Sequence, residues 1–405
     1  MTVIVCGGGP AGLMAAGTAA ETADKVILIE KNDKLGKKLR ITGKGRCNIT
    51  NACEIEDMIE MYPVNGKFLY SALYTFSNES IVELLRNYGV ETKVERGGRI
   101  FPISDDARDV VSAMRKYALR PNVKLVKDEV KSLIIENGKI KGVNTILGKY
   151  FADKVILCNG GASYPQTGSD GSGYKLAKSA GHTIIKPTPS LVPLTTSQRW
   201  CRDMMGLSLK NVEVKAYNSN DKKLYSGFGE MLFTHFGVSG PLILSLSAHI
   251  KKELDKGVYI KIDLKPALTD EQLDARILRD FDTQKNKHII NSLDGLLPKK
   301  LIPVVIDIAE IPPHKAVCEI TKPERKRLVE TLKGIRLDIT GFRPISEAII
   351  TSGGVKTSEI NSSTMESKLI KGLYFAGEII DVDGYTGGFN LQVAWSTGYL
   401  AGINI

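Results

Sequence analysis

The segment TVIVCGGGPAGLMAAGTAAETADKVILIE, residues 2–30, decides the fold. It opens with a β-branched apolar run, TVIVC (2–6), and turns through GGGPAG (7–12). A small-residue helical stretch follows, and a second apolar run, VILIE (26–30), ends in an acid. A G-x-G-x-x-G carries weight only in this strand–turn–helix–strand setting, where each glycine has a task. Gly7 permits the tight turn, Gly9 lets the backbone approach a pyrophosphate, and Gly12 lets the helix pack closely on the strands. The helix N-terminus, with unpaired amides and a partial positive charge, then faces the phosphates. Glu30 lies 18 residues after Gly12. There a carboxylate accepts both hydroxyls of a ribose and disfavours a 2′-phosphate, so the nucleotide expected is FAD or NAD rather than NADP.

The rest of the chain is compatible with a multidomain globular protein. Its 405 residues suggest two or three domains, and 42% apolar with 25% charged residues is ordinary usage. No apolar stretch reaches the roughly 20 residues that span a bilayer. The glycine-rich start lacks the basic flank of a signal peptide, so a cytoplasmic protein is expected. Six cysteines, at 6, 47, 53, 158, 201 and 318, contain no C-x-x-C pair and fit free thiols in a reducing compartment. The five histidines (182, 235, 249, 288, 314) show no metal-ligand spacing, and no metal is expected. The net charge of +10 is compatible with nucleic acid, a membrane surface or an anionic ligand. Its densest cluster, Lys34, Lys37, Lys38, Arg40, Lys44 and Arg46, is interleaved with Gly36, Gly43 and Gly45 and holds no base-stacking aromatic. A second cluster, Lys322, Arg325, Lys326 and Arg327, reads as a solvated helix face.

Downstream, helices are expected at 66–75, 78–88 and 107–120, the last capped by Asp105 or Asp106. A three-stranded meander is expected at 123–126, 130–136 and 139–147, with Asn137-Gly138 as a hairpin turn. A return strand, 155–158, ends in Asn159-Gly160-Gly161. A meander after the first β-α-β is the plan of a glutathione-reductase-like FAD domain, whereas an NAD domain continues with regular β-α repeats. FAD is therefore favoured. From about 187 the texture changes: PTPSLVPL is proline-rich, and strands are expected at 209–217, 223–228 and 257–264. A helical stretch follows from 269 to about 315, and strands return at 333–340 and 345–351. LYFAGEIID (373–381) and a final glycine loop and helix then resemble the start again, as if one domain were interrupted by an insertion.

Seven motifs occur in order: GGGPAG (7–12), GKKLRITGKGRCNITN (36–51), GRIFPIS (98–104), NGGASYPQTGSDGSGY (159–174), GEMLFTHFGVSGP (229–241), TSGGV (351–355) and YFAGEIIDVDGYTGGFNLQVAWSTG (374–398). Together they closely resemble the BaiN-like, or YhiN-like, FAD-dependent oxidoreductase family, which includes enzymes described as aminoacetone oxidases and 3-dehydro-bile acid reductases. The resemblance covers essentially the whole chain and is specific for the family rather than for a substrate. It implies an α/β fold: a glutathione-reductase-like FAD-binding Rossmann domain (1–188 and 345–405), interrupted by a β-barrel-like insert (189–267 and 319–344). That insert itself contains a small helical domain (268–318).

Beside that resemblance, the cofactor site is expected to include Gly7, Gly9, Pro10, Ala11, Gly12, Glu30, Lys31, Val130, Gly160 and Gly161. Lys37, Lys38 and Arg46 are expected to approach the FAD pyrophosphate and adenosine ribose, with Cys47 and Asn48 close by. Cys47 is either packed near the cofactor or redox-active, since reactivity needs a lowered pKa. Gly377-Glu378 resembles the Gly-acid step that binds the flavin ribitol, although the wider superfamily usually has Asp there; Asp381 is a second candidate. Gly387, Gly388, Phe389 and Asn390 aim helix amides at the flavin pyrimidine edge, where negative charge accumulates on reduction. Candidate catalytic residues are Tyr164 and His235, each a proton donor or a structural group, and Asn390.

The function expected is a soluble FAD-dependent oxidoreductase acting on a small molecule through flavin N5. It either uses NADH or NADPH as a transient co-substrate to reduce an activated C=C, or oxidises a small amine or aminoketone with oxygen. No second G-x-G-x-x-G exists for a dedicated nicotinamide domain. The inserts are expected to shape the substrate pocket. The competing class is an FAD-dependent RNA-modifying enzyme or a non-catalytic FAD protein. No nucleic-acid or membrane partner is expected, because the densest basic cluster belongs to the cofactor loop. The oligomeric state is left open.

Overall fold

The computed structural model describes residues 1–405, which divide into two compact units: Met1–Ser190 with Pro344–Ile405, and Leu191–Arg343. The first is built on a five-stranded parallel sheet in the order Leu373–Phe375, Lys154–Leu157, Thr2–Cys6, Lys25–Glu30, Val123–Lys127. The central strands are almost continuously apolar because both of their faces are covered, as parallel sheets require. Helix Pro10–Ala19 packs against the last helix, Phe389–Ile403. Small residues make that approach possible: a Cβ on Gly398 would lie 2.5 Å from the Ala11 carbonyl oxygen. The chain's two ends thus share one core.

Several expectations need correction. Strand 123–126 belongs to the parallel sheet, where it pairs with Lys25–Glu30, and not to the meander. Asp128 ends it by accepting from the Glu129 and Leu147 N–H groups. The meander is Val130–Glu136, Lys139–Thr145 and Lys149–Phe151. The expected 139–147 strand breaks at a turn closed by the Thr145–Gly148 backbone bond. Asn137-Gly138 does make the first hairpin, both residues having positive φ. The proline-rich stretch contains a strand, Ile184–Ser190, paired antiparallel with Ile350–Val355. Pro187 and Pro189 are tolerated because this sheet has only two strands and is irregular between Ile185 and Thr188. The expected strand 345–351 therefore begins five residues later. A helix at 66–75 is a 3-10 turn (Gly66–Leu69) followed by Tyr70–Thr75. LYFAGEIID opens on a short strand, Leu373–Phe375, ahead of Gly377.

The second unit is a closed six-stranded barrel, ordered Leu194–Thr196, Gly237–Ser239, Lys223–Thr234, Ser208–Asn218, Val258–Asp263, Ile335–Phe342 and back to the first. Closure removes every sheet edge. Helix Pro241–Ile250, absent from the sequence reading, follows the short strand Gly237–Ser239. Between Val258–Asp263 and Ile335–Phe342 run the helices Asp270–Asp282, Ile302–Ile308 and Lys322–Lys333. Their apolar residues, Leu273, Ile277, Val305 and Leu328 among them, join the barrel residues Val214, Ile260 and Leu337 in one continuous core. The helical stretch thus shares one hydrophobic core with the barrel.

Candidate functional site

The first glycine loop has the geometry of a cradle. Gly7 has φ +108°, and a Cβ there would meet the Cys158 carbonyl oxygen at 2.5 Å. A Cβ on Gly12 would sit inside the Gly7 carbonyl oxygen, whereas one on Gly9 would meet nothing within 4 Å. Gly7 and Gly12 therefore serve the fold, and Gly9 borders open space. Helix Pro10–Ala19 starts there with Pro10 in its first turn and no side-chain cap, so its first amides face outward unpaired. Glu30 is held at the loop's side: it accepts from the Gly8 N–H (2.6 Å), the Asn32 N–H (2.8 Å) and the Asn32 amide (2.7 Å). Asp128 N–H donates to the Glu30 carbonyl, which brings the segment leading to buried Val130 beside it. An open cradle, an uncapped helix and an anchored carboxylate fit the pyrophosphate and ribose of a dinucleotide such as FAD.

The basic residues expected near the phosphates already face carboxylates. Lys31 pairs with Asp170 (2.7 Å) and Lys37 with Asp33 (3.1 Å). Arg46 bridges Glu95 and Asp105 and stacks on Phe101, 4.1 Å from the ring centre. Lys38 reaches Glu378 (2.6 Å) and the Ser163 hydroxyl (2.7 Å). These side chains therefore organise the loops around the cradle, whose unpaired donors are backbone amides.

Glu378 is the centre of a knot joining four motifs. It accepts from Lys38, from the Ser163 hydroxyl (2.9 Å) and from the Thr351 N–H (2.8 Å). The Thr351 hydroxyl in turn accepts from the Ala162 and Ser163 N–H groups. Gly161 has no room for a Cβ, which would meet Thr351 and Glu378, and Gly160 has φ +74°. Gly377 (φ +77°) lies against the first helix, where a Cβ would be 2.8 Å from that of Ala11. The Gly377-Glu378 step thus adjoins the glycine cradle. Asp381 sits beyond it, buried, accepting from Asn65 (3.0 Å). Ser163 and Thr351 escaped the sequence reading. Both lie in motifs quoted there, but a hydroxyl beside glycines has no spacing that announces its partner.

The last helix begins at Gly388, whose φ of +101° and contact with the Thr50 backbone allow no side chain. With its amide turned to satisfy both ends, Asn48 accepts from the Gly388 N–H at 2.9 Å. Asn51 donates to the Gly387 carbonyl (3.1 Å). The Asn390 amide is spent on its own loop, accepting from the Gly384 N–H (2.9 Å) and donating to the Gly384 carbonyl (2.8 Å). Phe389 is buried edge-on to Tyr62. Asn390 is thereby a positioning residue of the Gly384–Gly388 loop.

Cys47 is fully buried at φ +62°, and burial pushes its thiol up to about 12. That is the opposite of what thiolate chemistry needs. Tyr164 (φ +51°) is half-buried, and desolvation, then the nearby Glu347 carboxylate, raise its phenol above the ordinary value. It stays protonated at neutral pH and can donate. His235 belongs to the barrel unit, exposed in the turn between Lys223–Thr234 and Gly237–Ser239. No group of three or more His, Cys, Asp or Glu side chains is placed to hold a metal. No helix is long and apolar enough to cross a membrane.

The HI0933-like protein Rossmann domain family matches residues 1–404. A 3-dehydro-bile acid delta(4,6)-reductase of Clostridium scindens is 33% identical over 98% of this chain and 97% of its own length. A ribosomal RNA dihydrouridine synthase of Escherichia coli is 29% identical over 98% and 96%. Among solved structures, a 3-ketosteroid-delta4-(5alpha)-dehydrogenase of Rhodococcus jostii superposes with a TM-score of 0.51 at 15% identity, covering 99% of this chain and 96% of the other. That likeness is one of fold alone. With its glycine cradle, anchored acid and returning C-terminal helix, the chain belongs to the HI0933-like Rossmann family, within the BaiN-like group of FAD-dependent oxidoreductases.

Proposed function

We propose that the protein saturates a carbon–carbon double bond conjugated to a carbonyl. The observation that carries this reading is a chemistry shared by two full-length relatives, one a 3-dehydro-bile acid delta(4,6)-reductase and the other a dihydrouridine synthase. A 3-oxo-Δ4 steroid and a uracil ring differ in size, yet both offer a C=C activated by an adjacent carbonyl. When bound, FAD supplies the hydride chemistry. The chain holds the dinucleotide at Gly9, the first helix and Glu30, and it orients the ribitol side through the Glu378 knot. Tyr164, half-buried and protonated at neutral pH, is the candidate to deliver the proton that balances hydride addition. NADH or NADPH serves as transient donor, docking without a domain of its own. Amine oxidation is the less supported reading.

A ribosomal RNA base in place of a small enone is favoured by one observation, the net charge of +10. Anaerobic stopped-flow spectroscopy tests both. NADH and NADPH are expected to bleach the flavin slowly without acceptor. The reduced enzyme is then expected to reoxidise on mixing with a 3-oxo-Δ4 steroid or with uridine-containing RNA. Rapid bleaching by aminoacetone, with peroxide formed on admitting air, would replace this reading with the oxidase.

A further inference from the structure

The barrel unit holds a cavity of about 700 Å³, within the size range of ligand sites. Its walls are the stretch Thr196–Asp203 and the turn His235-Phe236. Both walls are pinned. Gln198 and Asp338 exchange bonds in both directions, side chain to side chain at 2.8 Å and backbone N–H to side chain at 3.0 Å. The Thr196 N–H donates to the Phe236 carbonyl (3.2 Å).

Three aromatic rings and two cations face this space. Trp200 is partly exposed while its ring rests 5.9 Å from that of Phe233, which is buried in the barrel core. His235 and Phe236 meet edge to face at 4.9 Å, and the Arg343 guanidinium stacks 4.4 Å from the Phe236 ring centre. Arg199 and Arg202 are exposed on the rim, and neither has an ion-pair partner. This contrasts with Lys31, Lys37, Lys38 and Arg46, all of which are paired. Asp203 on the same rim leaves the pair of arginines in excess by one charge. The unit as a whole has 25 lysines and arginines against 19 acids, more than half of the chain's excess in well under half of its length.

An aliphatic acid would engage the arginines and leave the rings idle, and a sterol would do the reverse. A nucleotide uses both, its base stacking on aromatic faces and its phosphate taken by guanidinium groups. We propose that this cavity is a nucleotide-binding site, with Trp200, His235 and Phe236 as the base platform and Arg199 and Arg202 as the phosphate clamp. The site takes either a residue of a single-stranded RNA or the nucleotide portion of NADH or NADPH. This rests on the reading above for its two occupants, the hydride donor and the alternative acceptor, while the binding test reads the barrel's own residues and not turnover.

The test measures equilibrium binding by the full-length, FAD-loaded protein of two probes, a uridine-rich twelve-nucleotide RNA and NADPH. Arg199→Ala/Arg202→Ala is expected to weaken at least one of them tenfold or more without lowering the melting temperature, since neither arginine has an ion pair to lose. If RNA is the affected probe, the slope of log affinity against log salt should fall by about 1.4, two phosphate contacts for a single strand. Trp200→Ala should weaken the same probe about tenfold and leave that slope unchanged. Loss confined to RNA assigns the site to a strand, and loss confined to NADPH assigns it to the dinucleotide. Wild-type protein that binds neither probe, or a double arginine variant that binds both as wild type does, overturns the proposal.

Discussion

At the scale of single residues, Gly9 and Gly12 of the cradle do different work although one motif names them together. A side chain on Gly12 would collide with the Gly7 carbonyl, while one on Gly9 would meet only open space. Gly12→Val is therefore expected to destabilise the protein by about 3 kcal/mol or more, from overpacking with no route of relief. Gly9→Val is expected to stay within about 1 kcal/mol of wild type, because the Gly9 backbone is extended and only a cap preference is lost. It should nevertheless retain little FAD, since the new side chain fills the cradle. Urea unfolding alongside the flavin-to-protein absorbance ratio separates the two. A stable Gly9→Val protein with full flavin would place the phosphates elsewhere. Cys47 gives a second expectation. Its buried thiol, near 12, should resist iodoacetamide at pH 8 in the folded protein, while exposed Cys318 reacts. Peptide mass mapping that found native Cys47 alkylated would restore it as a redox candidate.

At the scale of elements, helix Lys322–Lys333 shows how a cap becomes a pH-sensitive joint. Thr321 and Glu324 form a capping box, and Lys315, from the loop before the helix, donates to both Glu324 oxygens at 2.7 and 2.8 Å. The lysine, with the Thr321 bonds, outweighs partial burial and holds the carboxyl down at about 2, from an ordinary 4.5. A carboxylate depressed in the folded state stabilises it fully above the ordinary value, and the contribution drains away as pH falls from about 4.5 to about 2. Because solvent reaches part of this group, the effect is set at about 1–2 kcal/mol. Glu324→Gln is expected to cost that much at pH 7 and progressively less below pH 4, as read from denaturant midpoints. A cost independent of pH would mean that the cap acts through its neutral hydrogen bonds. In the sequence the basic run was legible, since it is local, whereas the capping box beside it went unread although it is local too. The Lys315 partnership was not legible, because it crosses a loop of no regular period.

At the scale of the whole molecule, two cores of separate composition make the barrel unit a candidate for independent folding. Its ends are already joined: Leu194 pairs with Phe342 across two strands, and the Arg343 N–H donates to the Pro193 carbonyl. Residues 191–343 alone are expected to unfold in one cooperative transition and to bind no flavin. The remaining unit, with Ser190 linked to Pro344 through a short Gly/Ser segment, is expected to stay yellow. Circular dichroism melts and flavin absorbance check both. A barrel fragment without a cooperative melt would show that its stability is borrowed.

The sequence by itself determined the nucleotide-binding start, because a strand, three glycines, a helix and an acid lie within thirty consecutive residues. It also determined that the C-terminal segment returns to that domain, since the Gly377-Glu378 step and the last glycine loop are again local patterns. Only the tertiary structure decided what each charge does. Lys38 meets Glu378 across 340 residues, and Ser163 and Thr351 complete the knot from two further segments. It likewise moved strand Val123–Lys127 into the parallel sheet and made a strand of a stretch with two prolines. The cavity of the barrel unit belongs here too. Its aromatic turn and its arginine rim lie over thirty residues apart in the chain and are brought together by the pairing of Leu194–Thr196 with Gly237–Ser239. The physical reason is the same in each case. Backbone conformation answers to neighbours a few residues away and so leaves a periodic trace, whereas a side chain's partner is chosen by packing and charge across the closed fold.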